Sequence, residues 1–369
     1  MRLGIAISGF GLGLTALACL AFAPALFARP PATPVDAAAQ RSALALLAQP
    51  RFQAPDGWSW HRFTNQDGAH LRYGWSRTAK SPLGTVVLLP GFQAPIEDFF
   101  ETARDYQARG FDVWSMDFRG QGGSDRWPGN PQKAYSQGME RDARDLAQFI
   151  RKSVGPRARG PIFIVAQSLG GHIALRALHD HADLARALVL SSPAISFQAE
   201  SLSQRLPPWL LRIVARVAVL CGFGDAYAVH AADWEFFPGA GGATDPVRDD
   251  PARALASEAW MLKNPVLREG GMTWAFVDER FRSSALELSA GWMQEILAPV
   301  LIGTARSDSL TDVSATAQAC RAMKRCQLLE FPHAKHALLG DSDLTRAPFI
   351  EASTRFLVRQ AGPSARVGP

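Results

Sequence analysis

From residue 85 onward the chain repeats one rhythm, a short unbroken apolar run followed by a longer stretch in which apolar residues recur every three or four positions. Residues 85–89, 111–116, 162–166 and 187–191 are the apolar runs, and parallel strands buried on both faces read in this way. Helical patterns lie between them at 95–108, at Met139, Ala143, Leu146 and Phe149 on one face, and at 168–178 directly after the third strand. Upstream, residues 58–63 and 70–75 flank the turn Asn65-Gln66-Asp67-Gly68 and predict a β-hairpin. Before it, Asp36 is placed to cap a short helix that runs to Leu47 and stops at Pro50. Residues 299–303 and 327–331 supply two late strands, and Pro348 is placed to start a closing helix over 349–358. The alternation predicts an α/β fold, a mostly parallel sheet flanked by helices.

The rhythm fails between Ser192 and Leu297, where Pro207-Pro208-Trp209, an apolar helix over 210–220 and a glycine-rich stretch at 239–242 read as a helical cap inserted into the sheet. The organisation expected is therefore a core in two parts, 55–191 and 298–369, around a cap at 192–297. Residues 3–28 carry no charge and lie between Arg2 and Arg29, the pattern of an export signal, either a cleaved signal peptide or an uncleaved anchor. A proline-rich spacer begins at Arg29 and leads, with the short helix, to residue 54. The protein is thus expected to be exported, periplasmic or secreted, or tethered to the membrane by this segment.

Composition narrows the function more than the fold. Hydrophobic residues at 47% and charged residues at 20% suit a globular chain, and the net charge of +5 is dispersed, with no basic stripe of the kind that nucleic-acid binding requires. Weak attraction to anionic lipid stays compatible with that charge. The four cysteines, Cys19, Cys221, Cys320 and Cys326, form no Cys-x-x-Cys pair and no zinc spacing, so no structural metal is expected. Cys320 and Cys326 are close enough to pair in an exported protein; three buried free thiols are the alternative.

The chemistry concentrates at Ser168. A buried strand runs into Ala166-Gln167-Ser168-Leu169-Gly170-Gly171 and then a helix, the layout of a nucleophile elbow that exposes a serine oxygen at the sheet's carboxyl edge. A serine hydroxyl needs a base to take its proton and a carboxylate to orient that base. Asp308, just past the strand at 299–303, is the candidate acid with Asp312 as its rival; His336, after the strand at 327–331, is the candidate base with His333 as its rival. The developing oxyanion needs main-chain donors, expected from Leu169 and Phe92. Residues 117–124 are glycine-rich after a strand, but the third glycine of a dinucleotide fingerprint falls at Asp125 and no phosphate loop occurs, so no cofactor is implied.

Together these pieces resemble the lysophospholipase and monoacylglycerol lipase branch of the α/β-hydrolases over about residues 58–358. The resemblance rests on Pro90-Gly91-Phe92, on Asp117, Arg119, Gly120, Gly122 and Ser124, on the elbow, on Ser307-Asp308-Ser309-Leu310, and on His336-Ala337-Leu338-Leu339 with Asp343 and Arg346. In the cap, Gly222-Phe223-Gly224-Asp225-Ala226-Tyr227 is similar to the bacterial lysophospholipase subgroup. Pro90, Ala166 and Ala337 depart from the family's usual His, Gly and Glu. The resemblance implies a serine hydrolase of single-chain lipid esters, a lysophospholipase first, with a monoacylglycerol lipase, a short-chain carboxylesterase or a catalytically silent binding module as alternatives. The cap segment around Pro207–Leu220 has apolar residues on several faces, so Trp209 and Leu210 are expected to meet the acyl chain. No oligomeric state is implied.

Overall fold

The computed structural model describes residues 37–196, 207–240 and 245–362. The apolar leader, the proline spacer and Asp36 lie outside them. Among the described residues the first elements are helix α1 (Ala37–Leu46) and an antiparallel hairpin, β1 (Ser59–Thr64) and β2 (His70–Ser76). Then follow β3 (Gly84–Leu89), α2 (Phe100–Ala108), β4 (Phe111–Met116), α3 (Met139–Phe149), β5 (Ile162–Gln167), α4 (Leu169–Asp180) and β6 (Ala187–Ser191). The insertion carries α5 (Pro208–Leu220), α6 (Pro251–Lys263) and α7 (Trp274–Glu287). The core resumes with β7 (Val300–Ala305), α8 (Val313–Ala322), β8 (Cys326–Phe331) and α9 (Asp343–Ala361).

Among the described residues eight strands form one sheet in the order β1-β2-β4-β3-β5-β6-β7-β8, antiparallel at β1/β2 and β2/β4 and parallel thereafter. Strands β3, β4, β6 and β7 are buried along their whole length, which is why they lack the alternation of a half-exposed strand. One face packs on α3 and α4 through Met139, Leu146, Phe149 and Ile173, and the other on α2 and α9 through Tyr106, Phe349 and Phe356. The order reverses at β3, which lies between β4 and β5; a crevice opens at the carboxyl ends of strands at such a switch point.

The closing helix differs from expectation. It begins at Asp343 rather than at Phe349, and Pro348 sits inside it. Burial decides the outcome: Thr345, Arg346, Phe349 and Ile350 are all covered, and Arg346 donates Nε to the Leu339 carbonyl at 2.9 Å, so the first turn is fixed by packing despite the missing N–H. Cys320 and Cys326 form a disulfide with Cα atoms 5.3 Å apart. Among the described residues no helix is long and apolar enough to cross a membrane.

The cap is anchored to the core by charge as well as by apolar contact. Arg253 of α6 donates to both oxygens of Glu101 on α2 at 2.8 Å, to the Asp341 carbonyl at 2.8 Å and to Asp343 at 2.6 Å. Helix α1 and the turn after it lie against α6, Ala43 and Leu47 packing with Ala256 and Ala259, so the segment after the spacer docks on the cap.

Candidate active site

Strand β5 ends at Gln167, and the chain turns so sharply that Ser168 adopts φ 51° and ψ −116°. A side-chain-bearing residue is strained there, and the surroundings hold it. The Ser168 N–H donates to the Ser191 carbonyl at 2.9 Å, and the Ser168 carbonyl accepts from Gly171, His172 and Ala194. Helix α4 starts at once and approaches β3 so closely that a Cβ on Gly170 would lie 2.5 Å from the Pro90 carbonyl oxygen. That approach explains the small residues after the serine. Ala166, in a position usually held by glycine in relatives of this pattern, is fully buried without disturbing the turn.

Asp308 follows β7 and is buried. Its Oδ1 accepts the N–H groups of Leu310 at 2.8 Å and Thr311 at 3.1 Å; its Oδ2 accepts the Thr311 hydroxyl at 2.6 Å and stands 2.8 Å from His336 Nδ1. Burial alone would raise its pKa, but the hydrogen bond and charge of His336, with Thr311 and Leu310, hold the carboxyl below its ordinary range. His336, also buried, lines the same cavity as Ser168. The rivals go elsewhere: Asp312 caps α8 by accepting the Ala315 N–H at 3.0 Å, and His333 is exposed on the loop.

The loop after β3 is held from below. Asp117, at the end of β4, accepts the Ile96 N–H at 3.0 Å and the Gly123 N–H at 2.9 Å, while Arg72 joins Asp117 at 2.6 Å and both oxygens of Glu97 at 2.7 Å. The glycine-rich run 117–124 is therefore a packed turn, with Gly122 closing over the Asp117 carboxylate. Above it, Phe92 lines the cavity and its ring packs on Phe276 of α7 with centroids 5.1 Å apart. Leu169, the other expected main-chain donor, lines the cavity as the first residue of α4.

The cavity measures about 480 Å³ and runs from Ser168 and His336 under the cap, between Phe92, Phe276, Met272, Met261, Trp234 and Phe237. Its wall also holds Glu258 and Glu269. Burial pushes the Glu258 carboxyl up to about 7 against the Phe237 N–H bond, and burial pushes Glu269 up to about 8 against the charge of Arg126. Trp209 and Leu210, expected to meet the acyl chain, are not among the residues that line it. Helix α5 spends its inner face, Leu211, Val214, Ala215 and Ala218, on Trp274 and Val277 of α7, with Leu210 packed against that same cluster, and leaves Trp209 64% exposed outside. Gln93, Glu258, Glu269 and Arg280 carry no sequence signal as lining residues, because loops far apart in the chain bring them together. His172 is buried on α4 with Nε2 2.7 Å from Ser283 Oγ, and burial, then Arg280 and Arg176, hold it neutral. Among the described residues no group of acids, histidines and cysteines is placed to hold a metal.

The profile of a family described as serine aminopeptidase, S33, matches residues 80–343. Lysophospholipase L2 of Escherichia coli strain K12 is 26% identical over 310 residues, 82% of this chain and 88% of that protein. A probable lysophospholipase L2 of Haemophilus influenzae is 23% identical, covering 74% and 83%. A soluble variant of monoglyceride lipase from Saccharomyces cerevisiae, solved with a substrate analog, has a TM-score of 0.65 at 17% identity, covering 84% of this chain and 96% of that one. A thermostable carboxyl esterase from Bacillus coagulans, solved with glycerol, has a TM-score of 0.65 at 15% identity, covering 84% and 100%. At such identities the structural likenesses show the α/β-hydrolase fold.

Proposed function

The chain belongs to the serine aminopeptidase S33 family of α/β-hydrolases and is a serine ester hydrolase; from that premise we propose that it cleaves esters of single-chain lipids, lysophospholipids first. The observation that carries this reading is the joint placement of Ser168 and the Asp308-bonded His336 on one cavity walled mainly by Phe92, Met272, Phe276 and other apolar side chains. In the proposed reaction Ser168 Oγ attacks the ester carbonyl as His336 Nε2 takes its proton. The tetrahedral oxyanion accepts the N–H groups of Leu169 and Phe92. Collapse breaks the bond to the alcohol, which leaves with the proton from His336, and the acyl group stays on Ser168. Water, deprotonated by His336, then releases the fatty acid and restores the serine. Asp308 orients the imidazole and stabilises its charged form.

The relatives favour a lysophospholipid or a monoacylglycerol, and an acyl chain of either fits an apolar channel. We place the enzyme outside the cytoplasm, on the strength of the uncharged run at residues 3–28, and beside a lipid surface. The outer face of α5 supports the latter, with Trp209, Ile213 and Leu220 exposed by 64%, 50% and 67% and Arg212 among them. The test is kcat/KM on lysophospholipids, monoacylglycerols and p-nitrophenyl esters of graded chain length. Efficiency that climbs with acyl length and favours a phosphodiester head group is expected. A maximum at acetate or butyrate would make the protein a short-chain carboxylesterase instead, and a preference for monoacylglycerol would move it to that lipase activity.

A further inference from the structure

We propose that Gln93 is a positioning residue for the oxyanion hole, tying the loop that carries the Phe92 N–H to the cap segment at Glu269 and Gly270. The inference rests on the serine-esterase reading and on Phe92 as an oxyanion donor. Gln93 has φ 58°, one of four positive-φ residues other than glycine among those described, and directly follows Phe92. A side chain with a Cβ does not settle there without compensation. Three hydrogen bonds supply it. Gln93 Nε2 donates to the Glu269 carbonyl at 3.1 Å and to the Gly270 carbonyl at 2.8 Å, and the Gln93 N–H donates to Gln121 Oε1 at 3.3 Å.

The cap segment receiving these bonds is itself fixed. The Gly270 N–H donates to the Gln132 carbonyl at 2.7 Å and the Gly271 N–H to the Ala232 carbonyl at 2.8 Å. A Cβ on Gly270 would lie 2.4 Å from the Ala232 oxygen, and one on Gly271 2.5 Å from Ala231 Cβ, so the segment is pressed against its neighbours. On the opposite side, Gly91 abuts the nucleophile, where a Cβ would lie 3.2 Å from Ser168 Cβ. The Phe92 N–H is thus held between the elbow and the cap, and one amide side chain fastens it on the cap side. Met272 and Phe276, which line the cavity, lie just beyond the fastened segment, so an acyl chain packed on them presses on the same frame that sets the donor.

Gln93→Met keeps the bulk and removes both side-chain bonds. Gln93→Gly removes them too, while admitting the left-handed backbone freely. We would measure kcat and KM on a p-nitrophenyl ester, the affinity of an alkyl boronic acid that forms a tetrahedral adduct on serine, and the melting temperature. Both variants should lose roughly ten- to hundredfold in kcat, less than removal of an oxyanion donor costs, with KM changed under about threefold. Boronate affinity should fall by the same factor as kcat/KM, and the melting temperature should move little. Wild-type kcat in Gln93→Gly would overturn the proposal, since backbone conformation alone would then explain the residue. Unchanged boronate affinity beside a lowered kcat would also overturn it. A wild-type protein with neither esterase activity nor boronate affinity would overturn the parent reading, and this one with it.

Discussion

At Asp308 the two carboxylate oxygens divide their work, Oδ1 holding the loop through Leu310 and Thr311 and Oδ2 facing His336. Asparagine there would keep the shape, but with its oxygen held by the Leu310 and Thr311 N–H groups it would turn an N–H toward the imidazole, selecting the wrong tautomer. Asp308→Asn should therefore lower kcat by roughly 10⁴-fold. Asp312→Asn, which still caps α8, should stay within about threefold, and His333→Ala likewise, whereas His336→Ala should approach the roughly 10⁶-fold loss of a nucleophile knockout. Steady-state kinetics on one soluble ester decides all four. Glu269 makes a different prediction. The residue is 2% exposed, its Oε1 accepts no hydrogen bond, and burial raises the carboxyl from 4.5 to about 8. Between those values the folded state keeps a proton that the unfolded state has released, so stability falls as pH rises from about 4.5 through 8. A glutamine at this position has no proton to lose, so Glu269→Gln should match the wild type's melting temperature at pH 5 and exceed it at pH 9. Curves that run parallel across that range would contradict the assignment.

Among the elements, α5 and α6 carry separate predictions. Replacing Trp209 with Ala and Ile213 and Leu220 with Ser leaves the inner face of α5 intact, so hydrolysis of a monomeric p-nitrophenyl ester should stay within about twofold. Binding to anionic vesicles, read by co-sedimentation, should fall severalfold if that face meets lipid. Arg253→Met would strand Glu101 beneath α6 and release the loop around Asp341; with one partner of a mostly buried cluster gone, about 2–4 kcal/mol of stability should be lost, visible as a lower denaturant midpoint. Arg253→Lys should rescue only part of that, since a single ammonium cannot serve Glu101, Asp341 and Asp343 at once. The central strands β3, β4, β6 and β7 were legible because full burial writes itself as unbroken apolar runs, and the elbow because a strand, a serine and two glycines leave few other geometries. Helix α5 was legible as a helix but not in its orientation. Apolar residues on several of its faces said that more than one partner was needed, and the inner one proved to be α7 rather than the cavity beside Ser168.

Across the whole molecule, function follows from where the sheet reverses its order. The loop after β3 and the elbow after β5 become neighbours because Leu89 pairs with Ala166, and the loops after β7 and β8 bring Asp308 and His336 to the same edge. Those four loops were readable from chain order, since each strand end announces the next site residue. The cavity wall was not, because Trp234, Glu258, Glu269 and Phe276 come from cap segments whose approach depends on tertiary contacts such as the Arg253 cluster and Gln93. The proposed chemistry stands on Ser168 as the nucleophile. Its most direct measurement is mass spectrometry of the protease-digested protein after reaction with a fluorophosphonate. One stoichiometric phosphonyl adduct is expected, on the peptide containing Ser168, formed far more slowly in His336→Ala. An unmodified Ser168, or an adduct on any other residue, would contradict it.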